Sequence, residues 1–206
     1  MRQLVIDCAT EACSVALFED ELLIAGNFEM LGRGHAEKLV PMIAALPNKG
    51  KADQIAVNIG PGSFTGIRVG LAAAKALSLA WGSVLFGYQT PALIAAMARQ
   101  QDGSGQAVDV ALTGGHGEWF FQSFDRDGVP ENQVLSLTPE TATQTSKADI
   151  FAGSQAEALR ALRGSGIALT IWPDARQFQL LHSTAMIANP SPSYGRAPDA
   201  KLPASA

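Results

Sequence analysis

The chain has 206 residues, 47% of them apolar and 17% charged, with a formal charge of -4. That length can bury a real core in one substantial domain or two small ones, and the composition excludes disorder, which needs low hydrophobicity and high charge. The acidic balance and the 15 scattered Lys and Arg residues exclude autonomous nucleic-acid binding, which needs a basic surplus gathered in one patch.

The amino terminus, MRQLVIDCAT, carries one Arg and an apolar run that breaks at Asp7, too short for a secretory leader. No stretch reaches the roughly 18 apolar residues of a membrane span, so a cytoplasmic chain without membrane contact is expected. QLVIDCA, CSVALFED and ELLIAGNFEM are apolar and β-branched with acidic residues between them, which predicts a three-stranded meander. Cys8 and Cys13, the two cysteines, are read as buried reduced thiols, and two Cys alone make no metal site.

GHAEKLVPMIAALPN places Leu39, Met42, Ile43 and Leu46 at helical spacing and stops near Pro47; Pro41 inside it predicts a kink or a late start. DQIAVNIG is a strand, Ser63 to Trp81 a helix after a glycine-rich turn, SVLFGYQT a strand, and PALIAAMARQ a helix with Pro91 in its first turn. The order βββαβαβα predicts a mixed sheet covered by helices. RQQDGSGQA, at residues 99–106, marks a boundary between a first unit of residues 1–100 and a smaller α/β unit of residues 101–206. In the second, VDVALTGG and EWFFQSFD are paired strands, SQAEALRALRGSG is a helix with a glycine stop, and NPSPSYGRAPDAKLPASA is an irregular tail.

The turn opens NIGPGSFTGIRVGLAAAKALSLA, and its spacing fits none of the standard loops. A Walker loop puts glycine five residues before the second one, where this chain has Pro61 before Gly66, and no Lys follows. Gly60, Gly62 and Gly66 stand at positions 1, 3 and 7, whereas a dinucleotide loop needs 1, 3 and 6. Ser63 directly follows Gly62, so G-x-S-x-G is absent, and no spacing pairs His35, His116 or His182 with a serine. What remains is a strand, a tight turn and a helix start that favours an anion, with Ser63 and Thr65 as capping residues.

Along that helix Gly66, Gly70, Ala74 and Ser78 recur every four residues. Glycine in a helix interior costs roughly 1 kcal/mol relative to Ala. Close approach of a neighbouring element, from the chain itself or from a partner, would offset it.

IDCATEACSVAL from Ile6 to Leu17, GHAEKLVPMI from Gly34 to Ile43, GPGSFTGIRVGLAAAKALS from Gly60 to Ser78 and GYQTPAL from Gly87 to Leu93 together resemble the TsaB (YeaZ) family, accessory proteins of tRNA threonylcarbamoyladenosine synthesis. The resemblance covers most of the first hundred residues and implies the actin-like (ASKHA, ribonuclease H-like) fold, α/β with two mixed-sheet subdomains, the second reduced. In active members of that fold class an aspartate and a D-x-G-[ST] turn engage metal and phosphate. Asp7 and Thr10 keep part of that turn, but Ala9 replaces its glycine and puts a methyl where a phosphate would approach. Asp7, Thr10, Gly60, Gly62, Ser63 and Thr65 are therefore expected to be a degenerate remnant, with no cofactor.

In TsaD, the catalytic paralogue, two histidines four apart ligate a metal. Aligned on Gly87, those positions are Thr90 and Ile94, so no metal and no catalytic residues are expected. His35 stands alone at a helix start and is read as a cap or surface contact. His116 lies where the family more often has an Asp-Ala-Arg-like turn. Tyr194, Gly195 and Arg196 resemble the family's Tyr-Leu-Arg ending.

The resemblance implies a non-catalytic subunit that binds and activates or stabilises TsaD, with the ATPase TsaE as a further partner, tRNA reached only through the complex, and homodimers formed through the same surface. Gly66, Gly70 and Ala74, with Leu39 and Ile43 on the preceding helix, are the expected interface. Arg68 and Lys75 are read as solvated helix positions. Two other classes stay open: an active phosphotransferase or ATPase using Asp7, Thr10 and the turn, and a peptidase, suggested only by an old superfamily label.

Overall fold

A computed structural model describes residues 1–195, so Arg196 lies outside the described residues. The amino-terminal meander is β1 (Arg2–Asp7), β2 (Ala12–Glu19) and β3 (Leu22–Met30), followed by α1 (His35–Ala44). Then come β4 (Gln54–Asn58), α2 (Phe64–Trp81), β5 (Val84–Tyr88) and α3 (Thr90–Asp102). The strands run β5-β4-β1-β2-β3 across the sheet, with β1, β4 and β5 parallel and the meander antiparallel.

The sheet is covered on both faces, and β1 shows why the run LVI carries no polar alternation. Leu4 and Ile6 pack with α1 and α2, through Leu39, Ile43, Leu71 and Ala74, while Val5 points the other way toward Tyr88, Leu93 and Phe178. Pro41 sits inside α1, which nevertheless begins at His35, so the helix does not start late. α2 ends at Gly82, whose φ of 70° is the left-handed conformation that glycine adopts without strain.

α3 runs through Asp102 into the glycine-rich stretch and lies between two cores: Leu93 packs on the first sheet, Ile94, Ala95 and Ala98 on the second. The second sheet comprises β6 (Val108–Thr113), β7 (Trp119–Phe124), β8 (Leu135–Leu137), β9 (Ile150–Ala152) and β10 (Ile167–Leu169), in the order β10-β9-β6-β7-β8. Its other face carries α4 (Pro139–Thr145) and α5 (Ala156–Arg163), the latter stopped at Gly164.

The chain then returns to the first sheet. A 3-10 helix, Ala175–Leu180, packs Ala175 and Phe178 under it, with the Phe178 ring 5.3 Å from that of Tyr88, and β11 (Ile187–Ala188) pairs with β5 as a sixth strand. The irregular segment after β11 crosses the glycine-rich turn, where the Ser193 amide donates to the Ile59 carbonyl at 2.8 Å.

Candidate functional site

The carboxyl ends of parallel strands are where open α/β sheets bind ligands, and here β1, β4 and β5 end in Asp7, Asn58 and Tyr88. The three side chains meet and are buried. Asn58 Nδ2 and the Tyr88 hydroxyl donate to Asp7 Oδ2 at 2.7 and 2.9 Å, and the Ala9 amide donates to Oδ1 at 3.1 Å. Asn58 Oδ1 in turn accepts from the Gly60 amide at 2.8 Å and the Thr90 hydroxyl at 2.9 Å. Burial pushes the Asp7 carboxyl up to about 7, against the three hydrogen bonds that favour its ionised form. Burial also lifts the Tyr88 phenol well above its ordinary range, with the Asp7 charge adding to it.

This network does not fit a metal ion. The Asp7 carboxylate is 0% exposed with donors on both oxygens, Thr90 spends its hydroxyl on Asn58, and Ile94 is a core residue packed on the second sheet. Among the described residues no group of three or more His, Cys, Asp or Glu side chains is arranged to hold a metal. Asn58 and Tyr88 were not singled out in the sequence; the signal was a polar residue closing each apolar strand run, in VNIG and GYQT.

The glycine-rich turn is equally occupied by the protein itself. A Cβ on Gly62 would lie 1.9 Å from the Ala9 carbonyl oxygen, one on Gly66 1.9 Å from that of Cys8, and one on Gly60 2.4 Å from that of Ser193. The Ser63 amide donates to the Ala9 carbonyl at 2.7 Å. A phosphate needs donors around it, and here carbonyl oxygens face the turn. Ser63 caps α2 by accepting from the Gly66 amide at 3.1 Å, whereas Thr65 is exposed in the first turn and does not cap. Thr10 turns inward and accepts from the Ala12 amide at 3.3 Å.

The expected docking stripe faces the wrong way for docking. Gly66, Gly70 and Ala74 are buried against the chain's own sheet, Gly70 opposite Cys8, Val57 and Ile6, and Leu39 and Ile43 belong to the same core. The close approach that compensates the helical glycines is therefore intramolecular. The opposite, outer side of the neighbouring α1 and α2 is exposed and mixed: Val40 and Pro41 beside Glu37 on α1, and Phe64, Ala72, Ala76 and Leu79 interleaved with Thr65 and Arg68 on α2. Lys75 is exposed there, as expected of a solvated position.

His35 is neither cap nor surface contact. It is buried, and its Nε2 lies 2.9 Å from the Thr10 carbonyl and 3.3 Å from that of Ala12, tying α1 to the β1–β2 turn; the N-cap residue is Gly34. Cys8 and Cys13 are buried free thiols with sulfurs 3.5 Å apart, and contact with Cys13 together with burial pushes the Cys8 thiol well up. His116 is exposed in the β6–β7 turn, with a φ of 59°.

A family model described as TsaD, tRNA N6-adenosine threonylcarbamoyltransferase, matches residues 29–170. TsaB of Escherichia coli K12, named as a tRNA threonylcarbamoyladenosine biosynthesis protein, is 36% identical over 132 residues, 62% of this chain and 56% of that one. YeaZ from Pseudomonas aeruginosa superposes with a TM-score of 0.76 at 26% identity, over 87% of this chain and 89% of that one. The chain belongs to the TsaD family, in its TsaB (YeaZ) branch.

A second solved structure, an uncharacterized Pseudomonas aeruginosa protein with similarity to peptidase YEAZ, has a TM-score of 0.80 at 23% identity and covers 95% of this chain and 99% of that one, which shows the same fold. The two mixed sheets are thus the TsaB version of the actin-like fold. The matched region spans about half the length, or less, of the curated TsaB relatives. No helix among the described residues is long and apolar enough to cross a membrane.

Proposed function

We propose that this chain acts in tRNA threonylcarbamoyladenosine biosynthesis as a non-catalytic subunit that binds and activates or stabilises TsaD. TsaD then transfers the threonylcarbamoyl group to adenosine in tRNAs reading codons that begin with A. The observation that carries this reading is the contrast between the two sides of α2. Its inner side meets a ligand edge closed by Asp7, Asn58, Tyr88, Thr90 and the Ala9 and Cys8 carbonyls. Its outer side leaves Phe64 at 54% and Leu79 at 88% exposure beside small alanines. A helical face of that kind, with exposed apolar side chains set among Arg68 and Lys75, suits a helix of another protein, and the same face would serve a homodimer when TsaD is absent.

TsaE is the expected third component, and tRNA is reached through the complex, in keeping with the chain's net negative charge. Copurification with TsaD and TsaE, followed by tRNA modification assayed with and without this chain, tests the proposal. Stimulation of modification is expected. Clear micromolar Mg-ATP binding by the isolated chain, with no effect on TsaD, would favour the phosphotransferase reading instead.

A further inference from the structure

On α2, at the edge of the proposed docking face, one side chain is held in a way that packing of the fold does not require. The Arg68 guanidinium carbon sits 3.6 Å from the centroid of the Phe64 ring, one helical turn earlier, and Arg68 Nε donates to the Tyr194 hydroxyl at 2.9 Å. The Phe64 and Tyr194 rings are 5.1 Å apart, so the two aromatics form a shelf with the guanidinium against it. Tyr194 is itself held in place from behind. The Ser193 amide is bonded to Ile59, and Gly195, with a φ of 70°, lies where a Cβ would meet the Phe120 ring at 2.7 Å.

Arg68 and Phe64 are nonetheless exposed, and no carboxylate among the described residues forms an ion pair with Arg68. Stacking and the Nε bond leave Nη1 and Nη2, the pair of donors that matches a carboxylate bidentately. An arginine fixed in advance gives up little further rotamer freedom on binding, which is how anchor residues contribute most at an interface.

We propose that Arg68, set on Phe64 and tethered to Tyr194, is the anchor for an Asp or Glu carboxylate of the protein partner. The inference rests on the reading of the outer side of α1 and α2 as the docking face. A carboxylate on a protein is favoured over an RNA phosphate because Phe64 and Ala72, one turn to either side of Arg68, are apolar, and Lys75, two turns on, is the one other basic residue of α2. A polyanion would need several basic residues together, and the chain has no basic surplus.

The test measures the affinity of the full chain for purified TsaD at low and high salt, for the natural sequence and for Arg68→Gln, Arg68→Lys, Tyr194→Phe and Ala76→Arg. Arg68→Gln is expected to weaken binding about tenfold or more. Arg68→Lys should not restore it, because an ammonium offers no fork, and Tyr194→Phe should fall between these two and the natural chain. All three are surface changes, and unaltered thermal unfolding is the check on the fold. If Ala76→Arg abolishes binding while Arg68→Gln leaves it unchanged, the anchor is overturned and the docking face stands. If Ala76→Arg has no effect, the docking face fails on its own account. Arg68→Gln that spares TsaD affinity but lowers crosslinking to tRNA would identify a phosphate contact and also overturn the proposal.

Discussion

Replacing Asp7 with Asn tests whether the aspartate at the end of β1 is a structural carboxyl or a ligand. Burial holds its folded-state pKa at about 7, above the ordinary value of 3.8. As pH rises through about 4, the unfolded chain releases this proton while the folded one keeps it until about 7. The unfolded state therefore binds fewer protons over that interval, and stability falls with rising pH. A tenfold difference in proton affinity between the two states corresponds to about 1.4 kcal/mol, so the full interval is worth at most about 4 kcal/mol, and the part between about pH 5 and about pH 8 roughly 2.5 kcal/mol.

Asn cannot ionise, so Asp7→Asn should remove this slope. Relative to the protonated carboxyl it should add a pH-independent loss of about 1–3 kcal/mol, because its NH2 group brings two donors where the carboxyl brings one, against the donors of Asn58, Tyr88 and Ala9. Urea unfolding of both proteins at several pH values gives the two curves. Parallel curves would refute the buried-carboxyl account. A rise in melting temperature with Mg-ATP in the natural chain but not in the variant would show Asp7 to be a ligand after all.

Two glycines four residues apart on α2 should respond in opposite directions. Gly66→Ala forces a Cβ to within 1.9 Å of the Cys8 carbonyl and should cost about 2 kcal/mol or more in chemical denaturation, whereas Gly70→Ala meets only ordinary contacts from 3.5 Å outward and should be neutral or stabilise by up to about 1 kcal/mol. Equal losses at both would contradict the geometry. His35→Leu should cost about 1–3 kcal/mol by leaving the buried Thr10 carbonyl unpaired, with partial recovery in His35→Gln, which keeps a donor. Cys8 and Cys13 should resist a thiol reagent in the native state and react fully in denaturant, since both are buried and the Cys8 thiol is held in its protonated form. Fast native labelling would place one of them at the surface.

Much of the architecture was legible because it is written in local chemistry. The meander, the helix spacing of Leu39, Met42 and Ile43, the Ser63 cap and the glycine stop after Arg163 all follow from backbone periodicity and capping, which act over a few residues. The spacing of Gly60, Gly62 and Gly66 likewise excluded the standard phosphate loops, and the quoted motifs carried the family.

The direction in which those glycines face was not in the sequence. A four-residue repeat says that something approaches closely, but only the packed chain shows that the Cys8 and Ala9 carbonyls and the first sheet are what approach. The returning segment was equally hidden, since the two-residue strand Ile187–Ala188 and the Pro- and Ser-rich residues after it carry no periodicity, and the pairing of the one with β5 and the contact of Tyr194 with Arg68 depend on partners about a hundred residues or more earlier. The sequence by itself determined the elements of the first hundred residues, the β6–β7 pair and α5, and the absence of the known loop spacings, and its motifs pointed to the fold class. Tertiary structure alone decided which side of α2 is core and which is surface, because burial belongs to the whole packed chain and not to any local run of residues.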